Sequence, residues 1–108
     1  MNQLKQIIDV LKIEGISQER ILKSWQALTE IESYTFNAEA VSEICSFIEE
    51  RLNKLGLKTR IINLEGAGPT LIAESGQGDI SEGIILSGHM DTVHKDGTIT
   101  EMPFRLDD

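Results

Sequence analysis

The hydrophobic pattern changes its period at Gly56, and this change constrains the fold more than any other feature of the chain. Before Gly56, apolar residues recur every three or four positions in three segments, which is typical of amphipathic helices. After Gly56, the chain is rich in β-branched residues and is interrupted by glycine and proline, which indicates short strands and turns. The sequence therefore predicts helices packed on a mixed β-sheet, in the α/β class.

Each of the three predicted helices has a capping residue at one of its ends. Gly15 closes the first in a left-handed conformation, Ser17 caps the start of the second, and the third lies between Asn37 and Gly56. The apolar stripes of the three helices are Leu4, Ile7, Ile8 and Leu11; Ile21, Leu22, Trp25 and Leu28; and Val41, Ile44, Cys45, Ile48, Leu52 and Leu55. We expect these stripes, with Trp25 among them, to form the core.

Three strands are predicted after the third helix, at residues 57–64, 70–74 and 83–87. The third is apolar at successive positions, so we expect it to be buried on both faces in the middle of the sheet. The glycine-rich stretch 66–69 lacks the Lys-Ser/Thr pair of a phosphate loop and is interpreted as a turn. No periodic pattern is recognisable from His94 onward.

Composition limits the classes of function and location that the chain can have. Its 108 residues allow one domain at most. The 18 acidic and 10 basic residues give a net charge of −8, which argues against nucleic-acid and membrane partners. Cys45 is the only cysteine, so no disulfide framework exists, and we interpret it as a small buried residue. With no spanning apolar run and no signal-peptide pattern, a cytoplasmic location is expected.

A histidine and a carboxylate, His89 and Asp91, follow the third predicted strand directly. Residues at i and i+2 of an extended segment point the same way, so both side chains reach one place. A neutral imidazole binds zinc, and a carboxylate on its other nitrogen orients the ring. A metal site is one interpretation, and a polar loop end is the alternative. His94 is a third ligand in principle, but a solvated loop histidine is the favoured interpretation.

Residues 85–93, Ile-Leu-Ser-Gly-His-Met-Asp-Thr-Val, followed by Met-Pro-Phe at 102–104, resemble the first metal-binding segment of the M20 metallopeptidases. That family includes glutamate carboxypeptidase, acetylornithine deacetylase, succinyl-diaminopimelate desuccinylase and aminoacylase. The stretch through Pro103-Phe104-Arg105-Leu106 looks closest to the glutamate carboxypeptidase branch. The order of elements extends the resemblance over residues 17–108. It implies that 17–108 are the truncated N-terminal part of a zinc-peptidase-like catalytic domain and that 1–16 are an added helix.

The resemblance implies a hydrolase that cleaves amide bonds of small peptides or N-acyl amino acids, of the carboxypeptidase or deacylase type. By position, His89 would bind one metal of a pair of Zn²⁺ ions, with Co²⁺ or Mn²⁺ as alternatives. Asp91 would be the catalytic carboxylate that holds His89 and supports the general base. The implied partners are such a substrate and, in the full-length protein, a second copy in a homodimer.

The remaining metal ligands and the general base of that family are absent from the 108 residues, and Glu49-Glu50 on the third helix does not replace them. A catalytic zinc site normally takes three protein ligands. We therefore expect an inactive N-terminal fragment, from truncation, a split reading frame or a partial gene. The alternatives are a non-catalytic binding or regulatory module with the peptidase fold, and an α/β domain in which the motif is coincidental. Missing sheet neighbours also predict exposed apolar surface with marginal stability or self-association.

Overall fold

The computed structural model describes residues 2–107, apart from the side chain of Ile80, and divides them into two compact units. The first unit contains the residues up to Glu30 together with those from Phe104 onward. The second unit is Ile31–Pro103. The chain combines helices with strands, as predicted, whereas the domain boundary expected at residue 17 stays a prediction.

The first unit contains two capped helices, α1 (Gln3–Ile13) and α2 (Gln18–Thr29). Gly15, with φ of 69°, lies just beyond α1, where a left-handed residue ends a helix without steric strain. The Ser17 hydroxyl accepts a hydrogen bond of 3.2 Å from the backbone N–H of Arg20 and so caps α2. Both predicted helices and the N-cap of α2 are confirmed.

The expectation that Trp25 belongs to a core is wrong. Trp25 is 61% exposed, and neither α1 nor α2 buries a single side chain. Its ring meets that of Phe104 edge-on, with 6.3 Å between the ring centroids, and its apolar side lies in an open groove with Ile21 and Leu28. Two short helices have too little apolar surface between them to cover both stripes, so the stripe of α2 stays in contact with solvent.

Helix α3 (Ala38–Lys54) provides the core of the second unit. The Asn37 side chain accepts a hydrogen bond of 3.1 Å from the backbone N–H of Ala40, and Gly56 lies just beyond the other end with φ of 85°. The buried apolar side chains of this helix are Val41, Ile44 and Cys45. The predicted cap, the glycine end and the buried cysteine are confirmed.

Two strands, β1 (Lys58–Ile62) and β2 (Thr70–Glu74), form an antiparallel pair that packs against α3. Lys58 lies opposite Glu74, and Ile62 lies opposite Thr70. Beyond the pair come a 3-10 helix at Ile80–Glu82 and a four-residue helix α4 (Thr98–Glu101), which the sequence pattern did not predict. None of the helices that the structure describes is both long and apolar enough to cross a membrane.

The prediction of a third strand is wrong, and so is the prediction of a mixed sheet. Residues 83–87 form no strand, and Ile84 and Leu86 are 91% and 93% exposed. The strands of the described residues are one antiparallel pair, with a single parallel bridge between Tyr34 and Thr92 outside them. An apolar run becomes a buried strand only where neighbouring strands accept its backbone hydrogen bonds, and no described segment does so here. The expected exposed apolar surface is confirmed.

Candidate metal centre

The loop that carries His89 and Asp91 is anchored to the segment preceding α3. The backbone N–H of Thr92 donates to the carbonyl of Ser33 at 2.8 Å, and the N–H of Thr35 donates to the carbonyl of Thr92 at 2.8 Å. These two bonds form the parallel bridge. Ser33 is buried, so the bridge fixes Thr92 against the interior of the unit and holds its neighbour Asp91 in place.

The structure brings the His89 ring and Asp91 together, as the spacing of two residues predicts. His89 Nδ1 lies 2.8 Å from the Asp91 carbonyl oxygen and 3.4 Å from Asp91 Oδ1. Both oxygens are acceptors, so we assign the ring hydrogen to Nδ1, which leaves the lone pair on Nε2. The side chain is 82% exposed. His89 therefore presents to solvent a nitrogen in the form that binds a metal.

Asp91 is held by the hydroxyl of Thr35. Thr35 Oγ1 lies 2.8 Å from Asp91 Oδ2 and 2.8 Å from the Thr92 carbonyl oxygen, and the charged carboxylate is the stronger acceptor of the two. The hydrogen bond from Thr35 lowers the pKa of Asp91, with smaller contributions from its own backbone and from His89, while partial burial opposes them. The carboxyl group is therefore ionised at neutral pH.

A cleft of about 630 Å³ opens beside this pair, between α3, the strand β2 with the turn before it, and the loop that carries the pair. His89, Asp91, Thr35 and Thr70 provide the polar side chains of its lining. Its apolar lining includes Val41, Ile48, Leu52, Leu71, Leu86 and Met90. An apolar cleft with a few convergent polar groups has the composition typical of binding sites.

The two predicted site residues come together, but a third ligand does not join them. His94 is an exposed loop residue whose backbone N–H donates to Thr92 Oγ1 at 3.3 Å. Within residues 2–107, the structure holds no group of three or more His, Cys, Asp or Glu side chains that could bind a metal. The metal-binding role of His89 and the catalytic role of Asp91 stay predictions, since the geometry of the pair shows neither metal binding nor catalysis.

The chain is similar to carboxypeptidase G2 of Pseudomonas sp. (strain RS-16), with 29% identity over 93 residues. The match covers 83% of this chain but only 22% of the relative, so the chain spans much less than the full length of that protein. No model of a protein family matches the chain, and no solved structure matches it. This distant, partial likeness indicates a relationship to hydrolases of the peptidase kind.

Proposed function

We propose that this chain contributes part of the metal site of a zinc-dependent hydrolase of the M20 kind, which cleaves amide bonds of small peptides or N-acyl amino acids. The observation that carries the proposal is the His89–Asp91 pair, in which Nδ1 is occupied by Asp91 and Nε2 is free. The likeness to a carboxypeptidase supports the same reaction class. The resemblance of residues 85–93 to the first metal-binding segment of the family agrees with both.

The side chains of the pair are of the types that bind zinc, but they are fewer than a catalytic zinc site needs. A neutral imidazole and an ionised carboxylate are both zinc ligands, and a catalytic site takes three protein ligands. When bound, the metal supplies the Lewis acidity that polarises the amide carbonyl. His89 would hold it through Nε2, and Asp91 would keep the ring in the required tautomer and orientation. The remaining ligands and the general base would come from residues outside 2–107.

Zinc titration of the purified chain tests this role of His89. We expect weak binding by the unaltered chain, its loss in the His89→Ala variant, and its retention in the His94→Ala variant. The two histidines lie five residues apart on exposed loop, so His94→Ala is a matched control for a nonspecific imidazole. Competition with a chromophoric chelator measures the affinities. Equal binding by the two alanine variants contradicts the proposal.

An activity assay tests the expected incompleteness of the site. With zinc present, we expect the 108-residue chain to hydrolyse neither dipeptides nor N-acyl amino acids, because one metal ligand does not make a catalytic centre. Hydrolysis that His89→Ala abolishes would show a complete site and overturn this expectation. Absence of any zinc binding by the unaltered chain would instead favour the alternative of an α/β domain in which the motif is coincidental.

A further inference from the structure

We propose that Thr35 is a positioning residue of the metal site, which fixes the Asp91 carboxylate and, through it, the approach of Asp91 to the His89 ring. The geometry carries the positioning itself, and only its consequence for metal binding rests on the proposed function. Thr35 contacts the site twice. Its hydroxyl binds Asp91 Oδ2 at 2.8 Å, and its backbone N–H binds the carbonyl of Thr92, the next residue, at 2.8 Å.

The hydroxyl determines how the carboxylate is turned. An aspartate side chain without a partner exchanges among staggered rotamers about Cα–Cβ, and the torsion of its carboxylate about Cβ–Cγ is broad. A hydrogen bond to one carboxylate oxygen restricts both torsions. A donor on Oδ2 defines that plane and leaves Oδ1 on the other side, 3.4 Å from His89 Nδ1. Among the residues that the structure describes, Thr35 and His89 provide the two side chains that hydrogen-bond or pair with this carboxylate. Removing the hydroxyl therefore frees one side of it.

The backbone contact of Thr35 is with Thr92, the residue that follows Asp91. It belongs to the bridge that fixes Thr92, and the Asp91 carbonyl directly before Thr92 is the acceptor of His89 Nδ1 at 2.8 Å. Thr35 thus holds the Asp91 carboxylate through its side chain, while Ser33, through the other bond of the bridge, holds the peptide group that carries the Asp91 carbonyl. Groups that orient a metal ligand in this way typically change metal affinity by about 10–100-fold when they are lost.

Two substitutions at Thr35 separate the hydroxyl from the bridge. Thr35→Val keeps the shape and the backbone bonds but removes the hydroxyl, and Thr35→Ser keeps the hydroxyl. Thr59→Val is the matched control, because Thr59 also donates a side-chain hydrogen bond, to Asn53 at 2.9 Å, in the same unit but outside the lining of the cleft. Thr59→Val loses the stability of one side-chain hydrogen bond but leaves the contacts of Asp91 unchanged.

The first readout needs no metal. We expect the Hα–Hβ scalar couplings of Asp91 to report one side-chain rotamer in the unaltered chain, averaging in Thr35→Val, and recovery in Thr35→Ser. The second readout is zinc affinity, which we expect to fall about 10–100-fold in Thr35→Val and to be unchanged in Thr59→Val. Unaltered couplings in Thr35→Val, together with unaltered zinc affinity, overturn the proposal.

The two readouts also separate this proposal from the proposed function. If the unaltered chain binds no zinc, the metal site fails, while the couplings alone decide whether Thr35 positions Asp91. If Thr35→Val does not fold, the exchange rate of the Thr35 hydroxyl proton in the unaltered chain tests the positioning instead. A slowly exchanging Thr35 hydroxyl with a nuclear Overhauser contact to the Asp91 methylene supports the positioning, and a rapidly exchanging one without that contact overturns it.

Discussion

Gly68 shows at the scale of one residue how closely the loop before β2 approaches α3. A methyl group added at Gly68 would lie 2.6 Å from Val41 Cβ, and Val41 is one of the buried core side chains. Real carbon atoms do not approach so closely, so either the loop or the helix must shift. We expect Gly68→Ala to lower the free energy of unfolding by about 1–3 kcal/mol, the usual cost of overpacking. Urea denaturation with an unchanged m-value measures this loss.

Gly78→Ala is the control for this substitution. Gly78 also lies in a loop, but an added Cβ there has no atom within 4 Å, and its φ is not in the left-handed region. We expect stability within about 0.5 kcal/mol of the unaltered chain, as for surface positions without special features. Equal unfolding midpoints for the two alanine variants would show that the approach of Gly68 to Val41 contributes nothing.

At the same scale, the sequence predicts the parts of the candidate site that are local. His89 and Asp91 are two residues apart, and the rule for extended chain places their side chains together, as the structure has them. Thr35 lies 56 positions from Asp91, and no spacing rule connects residues so far apart. The tertiary bridge at Thr92 creates that contact, so a single sequence carries no signal for it.

Among the elements, α4 depends on a carboxylate from another segment. Gly97 provides no side-chain cap for α4, and the Glu32 carboxylate takes that place. It accepts hydrogen bonds from the backbone N–H of Gly97 at 2.8 and 3.0 Å and from that of Ile99 at 3.1 Å. The bonds from Gly97 and then Ile99 lower the pKa of Glu32 below its ordinary value of 4.5. Because the helix is four residues long, it shows no helical period in the sequence.

The lowered pKa of Glu32 predicts a pH dependence of folding. A carboxyl group whose pKa is lower in the folded chain stabilises the fold above its unfolded-state pKa, and this stabilisation is lost as the pH falls through the folded-state value. We expect Glu32→Gln to be less stable than the unaltered chain at pH 7, with a difference that shrinks below pH 4.5. Urea unfolding at a series of pH values measures both curves. Glu65→Gln, at an exposed turn, is the control.

The secondary structure was predictable where its cause is local. Ser17 and Asn37 cap their helices through bonds to residues three positions on, and the glycines end helices through their own backbone. The strand predicted at residues 83–87 is wrong because a strand depends on neighbouring strands, which a pattern of apolar residues does not specify. The predicted burial of Trp25 is wrong for a related reason. An apolar stripe indicates which side chains a helix can bury, but not whether another part of the chain covers them.

At the scale of the whole molecule, the buried apolar side chains of the described residues are few. They are Val41, Ile44 and Cys45, and all three lie on α3. Net stability is a small difference between apolar burial and chain entropy, and a core of this size contributes little to the favourable side. Marginal stability therefore stays our prediction for the second unit, and a low, broad thermal transition by circular dichroism would be its sign.

The exposed apolar run beside the candidate site predicts self-association of the whole chain. Ile84, Ile85 and Leu86 are 91%, 78% and 93% exposed, and no described segment pairs with their backbone. An apolar segment whose backbone N–H and C=O groups are unpaired is a template for pairing with another chain. We expect sedimentation to show concentration-dependent association, and Ile84→Lys to raise the apparent dissociation constant about tenfold or more, since burial of an isoleucine contributes about 1.5–3 kcal/mol.

Ile13→Lys provides the control for that experiment, because Ile13 is 81% exposed but lies in the helix α1 and not in an extended segment without partners. If exposure of an apolar side chain alone drove association, both lysine variants would weaken it equally. If the unpaired run drives it, the Ile84 variant weakens it and the Ile13 variant does not. A chain that remains monomeric at every concentration and unfolds in one sharp transition would contradict both the association and the marginal stability, because each is expected from the same uncovered segment.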